Sequence, residues 1–195
     1  MNNMWGFPGR FGKPGRIAAD RRRVLPAPAS EPPRDQAVLS PLPLVAVLNG
    51  PNLNLLGLRQ PELYGRTTLA ELQAMTEAKG AALGLAVEFR QSNLEGELIG
   101  WVQACRGRAR GIVINPAGYT HTSVALLDAL LAAELPVIEV HLTNIHRREP
   151  FRQTSLTGRA ATGIIAGLGP AGYVLALEAM AGLIGSEGQR SEETR

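Results

Sequence analysis

Between residues 44 and 184, five short strand-like runs alternate with stretches of helical periodicity, and no other feature of the chain limits its fold so strictly. The runs are residues 44–48, 85–90, 111–115, 136–140 and 163–166. The first is apolar throughout, which predicts a strand buried on both faces and therefore a parallel sheet. Thr68 with Glu71 predicts a capping box ahead of Leu69, Leu72, Met75, Ala78 and Ala82, and Gly84 closes that helix. Ser92 with Glu95 predicts a second box before Leu94, Leu98, Trp101, Val102 and Cys105. A third helix runs through Val124, Leu127, Leu130 and Leu131, and a fourth from about residue 170 to 184, where proline suits the first turn. Such alternation implies an α/β fold, a parallel sheet covered on both faces by right-handed crossovers.

In that arrangement Asn49, Asn115 and His141 all follow strand C-termini and share one edge, where open α/β sheets bind ligands. Gly50, Pro51, Asn52 and Asn54 follow Asn49 directly, so a rigid core strand delivers carboxamides to that edge. Further on, Arg59 and Tyr64 stand five positions apart. One folded loop can hold that guanidinium against the phenol oxygen and favour tyrosinate.

The fourth run carries an anomaly. Glu139 interrupts Val137, Ile138 and Val140, and His141 and Thr143 follow at period two, on one face of the strand. A buried carboxylate needs a partner. The pair is either an ion pair that fixes the strand end or an imidazole acid oriented by a carboxylate, and the local pattern does not choose between them. The three histidines, His121, His141 and His146, fall in predicted edge loops, but without HExxH or comparable ligand spacing, so no metal is expected. Residues 167–172 match GxGxxG in the last strand–helix unit. No later strand remains to carry a ribose-binding acid, so close strand–helix packing is the expected use of those glycines.

Seven of the 20 basic residues but only three of the 17 acids lie in residues 1–43, leaving 13 against 14 elsewhere. The globular part is near neutral, which argues against nucleic acid as its partner. Residues 1–43, rich in Pro, Gly and Arg, are expected to form a disordered extension, and residues 185–195 a frayed polar tail. Arg21, Arg22 and Arg23 suggest a twin-arginine signal, but prolines follow where an apolar segment is required; an organelle transit peptide is a minor alternative. No apolar run reaches membrane-spanning length. A single cysteine, Cys105, excludes an internal disulfide and suits a reducing, cytoplasmic setting; on an apolar stripe it is expected to be buried and inert.

The segments NGPNLNLLGLRQPELYG, INPAGYTHTSVAL, VIEVHLTNIHRREPFR and ATGIIAGLGPAGY occur in the order found in type II 3-dehydroquinate dehydratases, and the chain resembles that family over about residues 44–184. The resemblance implies a flavodoxin-like fold with strand order 2-1-3-4-5, trimers assembled into a dodecamer, and no cofactor. It implies a shikimate-pathway lyase that removes water from 3-dehydroquinate in the anti sense, through an enolate, to give 3-dehydroshikimate. Tyr64 matches the family's base, made basic by Arg59, and Asn52 the residue holding a water at the enolate oxygen. His141 matches the acid that protonates the departing hydroxyl, with Glu139 orienting it. Asn115, the Thr143 hydroxyl and the amides of Leu142 and Thr143 match the substrate-carboxylate pocket. His121 and Arg152 match contacts to ring hydroxyls, Arg148 a lid arginine, and Asp128 a group reaching a neighbouring subunit's site. Thr143 stands where many members have serine, and its branched side chain is stiffer.

Two other readings make different demands. A nucleotide-binding domain of flavodoxin or Rossmann type would use residues 167–172 and bind NAD or FMN. A non-catalytic family member would use its basic tail to recruit nucleic acid or a partner, with salt-dependent binding confined to that tail.

Overall fold

A computed structural model describes residues 41–58 and 66–193. Arg59, Tyr64 and the expected extension up to residue 40 lie outside the described residues. Five parallel strands form one sheet in the order β2-β1-β3-β4-β5: β1 (Leu44–Asn49), β2 (Ala86–Gln91), β3 (Gly111–Asn115), β4 (Val137–His141) and β5 (Gly163–Ala166). Four helices connect or follow them: α1 (Leu69–Ala82), α2 (Glu95–Cys105), α3 (Val124–Ala133) and α4 (Ala171–Glu193). The order agrees with the flavodoxin-like expectation.

Period-two alternation divides the sheet's side chains between two cores. Val45, Val47, Val113, Ile138 and Val140 pack with Leu72 of α1 and with Tyr173, Leu177 and Met180 of α4. Ala46, Leu48, Ile112 and Ile114 pack on the other face with Leu98 and Val102 of α2 and with Leu126 and Leu130 of α3. β1 pairs with β3 so that Asn49 stands opposite Asn115. The two carboxamides named from the sequence are thus neighbours at the C-terminal edge of adjacent strands.

The helices differ from their expected faces in instructive ways. The Thr68 capping box forms as predicted, with Thr68 Oγ1 accepting from Glu71 N–H and Glu71 Oε2 accepting from Thr68 N–H. The buried face of α1, however, passes through Leu72, Thr76 and Gly80 while Ala78 and Ala82 are exposed. Thr76 satisfies its hydroxyl on Leu72 O at 2.6 Å, and Gly80 admits Val87 of β2 where any Cβ would collide. Such a face is invisible to a count of apolar residues. The second box is not formed: Leu94 is the N-cap and is exposed, while Ser92 Oγ accepts from Leu94 N–H and pairs with Glu97 rather than Glu95. In α3 the buried residues are Leu126, Ala129, Leu130 and Ala133, whereas Val124 and Leu131 face outward. Cys105 is buried, and burial pushes its thiol pKa up, as an inert core thiol requires. The last helix continues beyond residue 184 to Glu193.

Candidate active site

Tight chain reversals at the ends of β1 and β3 begin the site. Gly50 N–H donates to Asn115 O at 2.8 Å, and a Cβ on Gly50 would run into the Pro116 carbonyl. Only glycine lets these two loops approach so closely. Asn52 follows in the left-handed region, φ 67°, a conformation that asparagine tolerates better than most residues, and its N–H donates to Asn93 Oδ1 at 2.8 Å. Ala117, after β3, also has positive φ, and its N–H is held by Asn115 Oδ1 at 3.1 Å.

β4 supplies the charged centre. Glu139 is fully buried, and its Oε1 lies 2.7 Å from His141 Nε2. Ser155 Oγ donates to the same oxygen at 2.7 Å, Thr157 Oγ1 donates to Oε2 at 2.5 Å, and Thr120 Oγ1 stands 3.3 Å from Oε1. Burial alone would raise the carboxyl pKa. The bonds from His141, Thr157 and Ser155 outweigh it and hold Glu139 below the usual carboxylate range. An ionised carboxylate only accepts, so Nε2 carries the proton in this bond and Nδ1 is the ring nitrogen not engaged by Glu139.

The same segment that steadies Glu139 also steadies the second histidine. His121 Nδ1 lies 2.8 Å from the Thr154 carbonyl, which can only accept, so Nδ1 carries a proton and Nε2 is left over. Leu156 N–H donates to Thr120 O at 2.8 Å and pins this segment to the turn that follows β3. Residues 154–157 therefore orient both imidazoles.

These parts surround a cavity of about 360 Å³. Eight of the residues expected to be catalytic or to bind substrate line it: Asn52, Asn115, His121, His141, Leu142, Thr143, Arg148 and Arg152. Glu139 lies behind His141, and Asp128 is exposed on α3 and does not line the cavity. Arg148 Nη1 donates to Thr143 Oγ1 over a long 3.4 Å. Glu149, to which sequence reasoning assigned no role, places Oε2 3.4 Å from Arg148 Nε and 3.2 Å from Arg152 Nε. Its own backbone N–H and the two guanidinium groups hold that carboxylate below its usual pKa range. Arg152 Nε is buried yet misaligned for a hydrogen bond with Glu149. The guanidinium groups of Arg148 and Arg152 outnumber the one carboxylate that lines the cavity, Glu149, and so favour an anion there.

The glycine turn after β5 supports this wall instead of offering a phosphate cradle. Gly167 N–H donates to His141 O at 3.1 Å, and Gly169 N–H donates to Leu142 O at 2.9 Å. A Cβ on Gly172 would press on Val140 at 3.3 Å, the close strand–helix packing expected of these glycines. Sequence reasoning missed Ser155, Thr157 and Thr120 as partners of Glu139, and Tyr173 as a partner of the edge asparagines.

Fold and site together define an α/β enzyme of flavodoxin-like topology with an oriented imidazole in a cationic cavity at the strand C-termini. The chain matches the family described as Dehydroquinase class II over residues 43–181 and belongs to that family. It is 58% identical to 3-dehydroquinate dehydratase 2 of Pseudomonas putida over 142 residues, covering 73% of this chain and 95% of that protein. It is 57% identical to 3-dehydroquinate dehydratase of Thermus thermophilus over 148 residues, covering 74% and 99%. Among solved structures, type II dehydroquinase from Propionibacterium acnes superposes with a TM-score of 0.69 at 46% identity, covering 71% of this chain and 95% of that one.

Proposed function

We propose that this chain dehydrates 3-dehydroquinate to 3-dehydroshikimate in the shikimate pathway, as a hydro-lyase acting through an enolate. The observation that carries the mechanism is the Glu139–His141 pair, a buried anion fixing an imidazole whose other nitrogen is available to a cavity suited to an anionic ligand. Tyr64, as phenolate beside Arg59, removes the proton from carbon next to the ketone and leaves an enolate. A water held by Asn52 stabilises the enolate oxygen. Collapse of the enolate expels the hydroxyl, which takes a proton from Nδ1 of the His141 imidazolium and departs as water. The carbon–oxygen bond breaks as the conjugated double bond forms, and no electrons are exchanged with a carrier.

The tyrosine count supports Tyr64 as the base. The chain has three tyrosines. Tyr173 is fully buried, burial pushes its phenol far above the ordinary value, and its hydroxyl donates to Asn49. Tyr119 donates its hydroxyl to Asn93 O at 2.8 Å and does not line the cavity. An unperturbed phenol, pKa about 10, is a poor base at neutral pH, so the neighbouring Arg59 cation supplies the needed shift.

Asn115, Thr143 and the amides of Leu142 and Thr143 bind the substrate carboxylate, His121 and Arg152 contact its ring hydroxyls, and Arg148 closes over it. Asp128 serves a neighbouring subunit's site. It lies between Val124 and Leu131 on one face of α3, and those two apolar side chains are 58% and 56% exposed. Such a face suits burial in a trimer, with trimers assembled into a dodecamer. The catalytic domain spans residues 44–184, follows a basic extension in the sequence, and works in the cytoplasm; among the described residues no helix is long and apolar enough to cross a membrane.

Mixing purified protein with 3-dehydroquinate tests the reading. Rising ultraviolet absorbance of the conjugated enone is expected, with flat titrations for NAD and FMN. Nucleotide binding without enone formation would overturn it.

A further inference from the structure

The two edge asparagines, Asn49 and Asn115, are joined by a hydroxyl that the reaction itself does not use. Tyr173 of α4 is fully buried, and its Oη lies 2.9 Å from Asn115 Nδ2 and 2.7 Å from Asn49 Oδ1. Both outer ends of this chain are anchored on backbone groups. Ala117 N–H donates to Asn115 Oδ1 at 3.1 Å, which turns Nδ2 toward the phenol. Asn49 Nδ2 donates to Arg90 O at 3.0 Å, which turns Oδ1 toward it from the other side. A backbone N–H cannot accept and a carbonyl cannot donate, so neither carboxamide can flip without opposing like groups. The phenol must therefore accept from Asn115 and donate to Asn49. One Nδ2 hydrogen of Asn115 is used in this way, and the second is left for a ligand in the cavity that Asn115 lines.

We infer that Tyr173 is a positioning residue for substrate binding: its hydroxyl locks the Asn115 carboxamide with the amino group presented to the substrate carboxylate. The inference rests on the proposed role of Asn115. Phenylalanine at position 173 would fill the same space while leaving Asn115 Nδ2 and Asn49 Oδ1 without their shared partner, so that Asn115 is held at one end only, by Ala117 N–H, and its amino group is less firmly aimed. A competing explanation treats the hydroxyl as a structural tie between β1, β3 and α4, with no bearing on the ligand.

The test is a double-mutant cycle on the full chain, measuring KM and kcat for 3-dehydroquinate together with Tm. Tyr173→Phe should raise KM about tenfold, the loss expected for one oriented bond to an anion, with kcat changed less than about threefold. In an Asn115→Ala background the same substitution should leave KM unchanged, because the residue it acts through is gone. An unaltered KM with only a lower Tm would overturn the inference, as would a KM effect that persists undiminished without Asn115. If Asn115→Ala alone leaves KM at the wild-type value, it is the carboxylate role of Asn115 that fails. Should Tyr173→Phe not yield folded protein, it is made together with Asn49→Ala, which removes the other carboxamide left without a partner, and is read in the same cycle against Asn49→Ala alone. A KM rise absorbed by Asn115→Ala supports the lock, and an unchanged KM overturns it.

Discussion

His141 Nε2 stands 2.7 Å from Glu139 Oε1, and that carboxylate, with no exposed surface, is the anion around which the site is built. A buried charge of this kind is tolerable only with its partners in place, and here an imidazole and three hydroxyls surround it.

Glu139→Gln removes the charge but preserves size. Without the anion the His141 ring loses the carboxylate that orients it as proton donor, so kcat should fall by about 10²-fold, in the range ascribed to general acid catalysis. KM should move far less, which steady-state kinetics with 3-dehydroquinate will measure.

Acid stability follows from the same carboxylate. Its folded-state pKa is depressed, so the unfolded chain binds the proton more readily than the folded one. The stabilisation is complete above the unfolded value of about 4.3 and is lost as pH falls through the lower, folded value. Circular dichroism melts at decreasing pH should show a decline in Tm beginning near pH 4 in the wild type, with a shallower slope for Glu139→Gln.

Thr157→Val takes one donor from Glu139 and leaves that oxygen under-satisfied. A loss of about 1–3 kcal/mol is expected in urea unfolding, together with a severalfold fall in kcat. Thr157→Ser keeps the hydroxyl and should recover most of both.

Leu131 lies exposed on the α3 face that carries Asp128. Leu131→Glu should prevent burial of this face, and light scattering after size exclusion should report species smaller than the wild type. If Asp128 completes a neighbour's site, turnover should fall with assembly.

What the sequence disclosed and what it hid have physical causes. Buried parallel strands are continuous apolar runs and their polar ends are abrupt, so Asn49, Asn115 and His141 could be assigned to one edge without coordinates. The Glu139–His141 contact was legible for the same reason, since residues two apart on a strand share a face. The partners of Glu139 were not. Ser155 and Thr157 lie in an irregular segment with no periodicity, 16 and 18 positions away, and hydroxyls in such segments usually face water. Tyr173 reads as one more apolar position on a helix, and its bridging role emerges only when α4 docks over the strand pair. The second capping box failed because serine can cap through a nearer N–H, and it did so at Leu94.

Tyr64→Phe tests the central claim most directly, followed as enone absorbance from 3-dehydroquinate under saturating substrate. The account predicts loss of turnover by at least about 10²-fold with the fold and substrate binding retained, since only the base is removed. Turnover near that of the wild type would contradict it.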